Sequence, residues 1–113
     1  MKEQVETGIL FPFYRPLLTE RQQKILAMWC EEDLSLSEIA ERMQISRQGV
    51  SDCLHTAQNR LADYEGKLRL SEKYTKITGL IGEGLDILQG PMTSREIRVK
   101  EILEEILAEE EKD

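Results

Sequence analysis

The apolar positions between residues 35 and 63 recur at intervals of three and four, the spacing of helices that bury one face. The first of them form the inward face of a short helix of about two turns: Ile39, Ala40 and Met43. Ser35 and Glu38 have the spacing of a capping box, in which the serine oxygen accepts a backbone amide and the glutamate returns to the cap. The segment therefore begins with a short, capped helix.

A longer helix follows after a tight turn. Ile45 is an apolar residue within the turn, and Ser46 is a good N-cap for the next helix. The apolar residues of that helix again share one face: Val50, Cys53, Leu54, Ala57 and Leu61. A short helix, a turn and a longer recognition helix are the pattern of a helix-turn-helix. An ordinary helical hairpin is the alternative.

Two further helices are predicted before this segment. The first covers about residues 3–11, and Pro12 and Pro16 are expected to kink or end it because proline lacks an amide donor. Thr19 and Gln22 form a second capping-box pattern, which opens a helix that extends to about residue 31. Three helices therefore precede the recognition helix.

The recognition helix continues beyond the motif. Its apolar positions alternate steps of four and three, a heptad seam: Val50, Leu54, Ala57, Leu61, Tyr64 and Leu68. We expect a helix from residue 47 to about residue 70 that either continues to about residue 88 or breaks and resumes. A seam of this length has to be covered, either by the N-terminal helix or by another subunit.

Gly90 and Pro91 end the long helical region, and Thr93 is expected to cap a final helix. That helix has one narrow apolar stripe, which buries too little for it to be stable alone, so it should dock on the body or on a partner. The sequence predicts an all-α protein with a helix-turn-helix domain over residues 1–75 and a helical extension over residues 76–113.

Charge limits the functions that fit this fold. The 113-residue chain has a formal net charge of −7, and its 33% of charged residues is typical of a soluble helical protein. The segment from residue 35 to 63 carries four acidic and three basic side chains, although phosphate affinity depends on lysine and arginine. No apolar run is long enough to span a membrane and no secretory signal is present, so we expect no membrane insertion and a cytoplasmic location.

The sequence contains no pattern of catalytic residues. It lacks a glycine-rich phosphate loop, a nucleophile elbow and metal-ligand spacing, so no enzyme activity, cofactor or metal is expected. Cys30 and Cys53 are interpreted as packing residues. The single histidine, His55, has no predicted nucleophile or orienting group beside it.

The outer face of the recognition helix supplies the candidate nucleic-acid-binding residues: Arg47, Gln48, Ser51, His55 and Asn59. In a major groove, Arg47 could contact phosphate or guanine and Gln48 adenine. Asp52 would be repelled by phosphate unless it pairs with Arg47 or accepts a hydrogen bond from a cytosine amine. With so few cations, DNA binding should require dimerisation or a partner.

Four stretches, at residues 13–22, 33–40, 46–50 and 63–68, resemble the YlxM family of small bacterial proteins. The core also resembles the helix-turn-helix of sigma factor region four, with a three-helix core like that of the winged-helix superfamily. The resemblance implies a DNA-binding regulatory protein. It also implies a role in the signal recognition particle pathway, because the family's genes lie beside those of the particle's GTPase and its receptor.

The resemblance also marks differences. Gln44 stands where many helix-turn-helix proteins have glycine, so an unusual or longer turn is expected, and Gly49, Ser51 and Cys53 replace alanine, tyrosine and asparagine of the family. Three hypotheses remain open. The protein is a DNA-binding regulator, an adaptor that contacts protein or RNA components of the signal recognition particle without sequence-specific DNA binding, or a homodimer formed through the seam.

Overall fold

The computed structural model describes residues 2–111, which form six α-helices and one short 3-10 helix joined by turns, with no strand in that range. The α-helices are α1 (Lys2–Tyr14), α2 (Glu20–Cys30), α3 (Leu36–Met43), α4 (Arg47–Leu68), α5 (Leu70–Ile87) and α6 (Ser94–Glu110), and the 3-10 helix spans Arg15–Leu17. The predicted all-α class is therefore confirmed. No helix among these residues is both long and apolar enough to cross a membrane.

Helix α1 corrects one prediction. It continues through Pro12 to Tyr14, whereas the sequence pattern predicts a helix over about residues 3–11 that the prolines kink or end. Phe11 and Tyr14 lie on its inner face with exposed fractions of 1% and 0%. Burying two such side chains contributes about 1.5–3 kcal/mol each, which outweighs the roughly 3 kcal/mol that an interior proline costs. Pro16 lies in the following 3-10 helix, where its fixed backbone angle is tolerated.

The helix starts follow the capping patterns in the sequence. Thr19 and Gln22 form a complete capping box at α2, and Ser35 and Glu38 form another at α3. The Ser46 hydroxyl accepts the Gly49 amide at 2.9 Å at the start of α4. These caps satisfy amides that a helix leaves without partners at its first turn, and so they fix where each helix begins.

Helices α1, α2 and α3 all pack against α4. The seam of α4 is buried among them, because Val50, Leu54, Ala57 and Leu61 have exposed fractions of 0%, 5%, 0% and 1%. Its last member, Leu68, is 44% exposed. The chain's own helices therefore cover most of the seam, which leaves little of it for a second subunit.

The long helical region breaks at Arg69, which has a left-handed backbone with φ of 53°. Side chains cap the new helix on the far side of the break. The Tyr14 hydroxyl accepts the Leu70 amide at 3.0 Å, and a Glu65 carboxylate oxygen accepts the Ser71 amide at 3.1 Å. Tyr14 also donates to the same Glu65 oxygen at 2.5 Å. Of the two predicted alternatives, the helix breaks and resumes.

The chain divides into two compact units, residues 1–71 and 72–113. The first contains α1 to α4 and the start of α5. The second contains the rest of α5 and α6, which approach closely at Gly84, where an added Cβ would lie 3.3 Å from the Leu103 Cδ1 atom. Thr93 caps α6 as predicted, and its hydroxyl accepts the Glu96 amide at 3.3 Å.

Candidate nucleic-acid interface

The corner between α3 and α4 has the geometry of a helix-turn-helix. Gln44 ends α3 in the left-handed region, with φ of 57°, so it adopts the unusual conformation for which glycine is more common. The Ile45 amide donates to the Ala40 carbonyl at 3.1 Å, and the Ile45 side chain packs on the core. The turn therefore keeps its tight form without glycine.

Gly49 fits closely against this turn. A Cβ built at Gly49 would lie 3.2 Å from the Ser46 Oγ atom and 3.7 Å from Ile45 Cδ1. A side chain at this position would require the cap or the turn to shift by a few tenths of an ångström. The small residue thus lets the first turn of α4 approach the α3–α4 corner.

The predicted binding residues separate into two groups. Arg47, Gln48 and Ser51 border a shallow pocket at the start of α4, together with Leu36 of α3. The Gln48 side-chain amide donates to the Asp52 carboxylate at 2.9 Å, so Asp52 pairs with Gln48 rather than with Arg47. Arg47 is exposed and forms no ion pair within residues 2–111.

His55 and Asn59 belong to a different cleft, between α4 and the start of α1. Glu3 and Glu6 line the same cleft and are both exposed. Their negative charge opposes the approach of phosphate to this part of α4. The structure therefore brings three of the five predicted residues together and gives the other two an acidic neighbourhood.

The structure also adds residues that the sequence pattern does not mark. Arg21 and Lys24 of α2 border a groove that reaches Met43 and Ile45 beside the α3–α4 corner. Arg21 also lies close to Cys53 of α4: burial raises the pKa of that thiol, and the Arg21 charge partly offsets the shift. In the sequence, Arg21 is marked only by its place in the first turn of the helix that Thr19 caps. Its position beside α4 depends on tertiary packing, which the sequence pattern does not reveal.

Ion pairing within the protein decides which basic side chains near α4 remain available to contact phosphate. Lys24 pairs with Glu20 at 3.4 Å, and Lys67 pairs with Asp63 at 3.1 Å. Arg21, Arg47 and Arg60 are exposed and have no ion pair among the residues that the structure describes. Arg60 follows Cys53 by seven residues, so the two lie on the same side of α4. Arg21 and Arg60 therefore border the same side of α4, the side of Cys53, and make it the more basic flank of the helix.

The two cysteines are partly buried and form no disulfide. Burial, followed by the charge of Glu31, raises the pKa of the Cys30 thiol to about 11. A thiol with a raised pKa is a poor nucleophile at neutral pH. Within residues 2–111 there is no group of three or more histidine, cysteine or acidic side chains that could hold a metal ion.

Comparison with known proteins supports the same architecture. Residues 1–111 match the UPF0122 family, described as "Putative helix-turn-helix protein, YlxM / p13 like". A UPF0122 protein of Desulforamulus reducens is 41% identical over 90 residues, covering 80% of this chain and 77% of the relative. One from Thermoanaerobacter sp. is 38% identical over 104 residues, covering 89% and 87%, respectively. A third, from Clostridium botulinum, is 41% identical over 73 residues, covering 65% of this chain and 67% of the relative.

Proposed function

The chain belongs to the UPF0122 family of YlxM / p13-like helix-turn-helix proteins, and we propose that it is a regulatory protein that binds duplex DNA through the start of α4. The observation that carries the proposal is the group of Arg47, Gln48 and Ser51 at the capped start of a helix whose opposite face is buried. In a helix-turn-helix, the N-terminal residues of the recognition helix contact base edges in the major groove.

The side chains have the chemistry for this role. Arg47 can donate two hydrogen bonds to guanine, and Gln48 can pair with adenine after exchanging its bond to Asp52. Arg21 and Arg60 are proposed to contact phosphates on the more basic flank of α4. His55 and Asn59 extend the proposed DNA-binding surface along the helix. Their contribution to binding should be weaker, because Glu3 and Glu6 lie beside them and repel phosphate.

The number of available cations sets the expected strength of binding. Two phosphate contacts by Arg21 and Arg60 would give a slope of about −2 in a plot of log K against log salt concentration, at roughly 0.9 per contact. A slope of this size belongs to a weak complex. We therefore expect that two copies bind together, as a homodimer on a two-part site. The protein would act in the cytoplasm, and we assign it no catalytic activity.

Selection from a random duplex pool at low salt, followed by titration of the enriched duplex, tests this proposal. We expect an enriched sequence and, for Arg47→Ala, an affinity lower by about tenfold with a relaxed preference for guanine at the contacted position. Lys67→Ala is the matched control, since Lys67 is an exposed cation near the other end of α4 that pairs with Asp63. A pool from which no sequence is enriched would contradict DNA reading.

A second candidate is an adaptor that contacts protein or RNA components of the signal recognition particle. The acidic cleft containing Glu3 and Glu6, together with the net charge of −7, favours a protein partner with basic side chains. The resemblance to a family whose genes lie beside those of the particle's GTPase and receptor suggests which partner. Affinity capture from the extract of a Gram-positive bacterium should recover the GTPase, its receptor or the particle RNA, and recovery of none would exclude this candidate.

A further inference from the structure

Helix α6 has an apolar strip that its own unit leaves exposed. Val99, Ile102 and Ile106 have exposed fractions of 47%, 41% and 40%. Their spacing of three and four residues puts them on one side of the helix. Leu103 and Leu107, on the adjacent side, are half-buried, and Leu103 approaches Gly84 of α5. Helix α5 thus covers one side of α6 and leaves the neighbouring strip open.

The charges of α6 are segregated along its length. Residues 94–100 contain three basic side chains and one acidic one, whereas residues 101–111 contain six glutamates and no lysine or arginine. This order is the reverse of the one that stabilises a helix, whose N-terminus favours negative charge and whose C-terminus favours positive charge. Within α6 itself, Arg98 pairs with Glu101 at 3.3 Å. The order of charge from one end of the helix to the other is still unfavourable, and a neighbour with the opposite order would relieve it.

The two charged regions are symmetric about the centre of the strip. Arg98 and Glu105 lie four residues before and three residues after Ile102, and Arg95 and Glu109 lie seven residues before and after it. At about 100° per residue, Arg98, Glu105 and Glu109 fall on the same edge of the strip, and Arg95 lies in line with the strip, about one turn before Val99. All four side chains are exposed.

From this arrangement we propose that α6 is a self-association surface, on which the α6 helix of a second copy packs antiparallel with the two-fold axis near Ile102. In such a pair Val99 meets the Ile106 of the second copy, and Arg98 and Arg95 meet its Glu105 and Glu109. Contacts repeat across the axis, as an isologous interface requires. The inference is independent of DNA binding.

Other occupants fit less well. A parallel copy would align basic with basic and acidic with acidic side chains, which is unfavourable. A uniformly basic helix from another protein would be repelled by Arg95 and Arg98 at the start of α6. The second copy in antiparallel orientation satisfies both ends of the strip at once.

The interface is small. A helix of 17 residues is about 25 Å long, and each copy contributes three main apolar side chains. An interface below the standard size should give a weak dimer, with a dissociation constant on the order of 10 μM. Because exposed charges contribute, dimerisation should weaken as salt concentration rises.

Sedimentation equilibrium of the full chain between about 1 and 200 μM, a range that brackets this affinity, tests the proposal. Ile102→Glu should weaken dimerisation at least tenfold, because it introduces a charge at the centre of the strip. Ile97→Glu is the matched control: Ile97 is 44% exposed, close to the 41% of Ile102, but lies about 170° around α6 from the middle of the strip. It should dimerise like the wild type, and circular dichroism should report full helicity for both variants.

Charge reversal identifies the orientation. Arg95→Glu with Arg98→Glu makes the four flanking positions of the strip all acidic, and Glu105→Arg with Glu109→Arg makes them all basic. Each double variant should be monomeric at 50 μM, and an equimolar mixture should form a heterodimer. A wild-type chain that stays monomeric up to 200 μM would overturn the proposal. So would an Ile102→Glu variant that dimerises normally, or a mixture that does not associate.

Discussion

The Tyr14 hydroxyl joins the end of α4 to the start of α5, so removing it should destabilise the first unit. Tyr14 has an exposed fraction of 0%. Its hydroxyl donates to Glu65 at 2.5 Å and accepts the Leu70 amide at 3.0 Å. Tyr14→Phe removes both hydrogen bonds and keeps the ring, which lies 5.8 Å from the ring of Tyr64. The change therefore isolates the contribution of one oxygen atom.

The expected loss follows from the two bonds. A hydrogen bond to a charged group contributes about 1.5–3 kcal/mol and a neutral one about 0.5–1.5 kcal/mol. Solvent can replace part of the Leu70 bond because that residue is 41% exposed. We therefore expect a decrease of about 2–3 kcal/mol in the free energy of unfolding, near the lower end of the sum. For a unit of this size each kcal/mol lowers the melting temperature by about 4–8 °C.

Urea denaturation followed by circular dichroism measures this loss, and hydrogen exchange of the Leu70 and Ser71 amides locates it. Tyr64→Phe is the control, because the Tyr64 hydroxyl makes a longer, exposed bond of 3.3 Å to the Leu17 carbonyl. It should cost less than about 1 kcal/mol. The Tyr14 hydroxyl does not stabilise this junction if Tyr14→Phe is no more destabilising than Tyr64→Phe, or if exchange at Leu70 is unchanged.

Three further predictions concern single side chains. Gln44→Gly should raise the free energy of unfolding by about 1 kcal/mol in thermal denaturation, because Gln44 has φ of 57° and glycine adopts that conformation without steric cost; a loss of stability would contradict this. Ser46→Ala should lower the free energy of unfolding by about 1 kcal/mol, because it removes the cap on the Gly49 amide. Ser51→Ala, at a serine that caps no helix, should cost less, and chemical denaturation of the two variants measures the difference. Because the pKa of the Cys30 thiol is raised to about 11, Cys30 should react with iodoacetamide at pH 8 about 100-fold more slowly in the folded chain than in the unfolded chain. Its reaction rate in the folded chain should rise between pH 9 and 11, and equal rates in the two states at pH 8 would contradict the raised pKa.

The sequence predicts the parts of the fold that depend on local chemistry. The caps at Thr19, Ser35, Ser46 and Thr93 each have a hydroxyl at the right distance from a helix start, and all four accept the expected amide. The buried face of α4 also follows directly from its periodicity. These features involve residues only three or four positions apart.

Features that depend on contacts between distant residues are harder to predict from the sequence. The passage of α1 through Pro12 is favoured by the burial of Phe11 and Tyr14 against the rest of the core. The break at Arg69 involves Tyr14, whose hydroxyl bonds a residue 56 positions away. Periodicity alone could not distinguish this break from a continuous helix.

The candidate site has the same limitation. The positions on the outer face of α4 could be read from helical spacing, but their surroundings could not. Only packing brings Glu3 and Glu6 beside His55 and Arg21 beside Cys53. These neighbours divide the predicted surface into a start with an arginine that has no ion pair among the described residues and a continuation that is acidic.

Amide chemical-shift mapping with a selected duplex is the decisive test of the proposal that the start of α4 reads duplex DNA. The largest shifts should fall at residues 46–51 and at Arg21, and both Arg47→Ala and added salt should reduce them. An absence of shifts at low salt, or shifts confined to the cleft around His55 and Asn59, would contradict DNA binding through the start of α4.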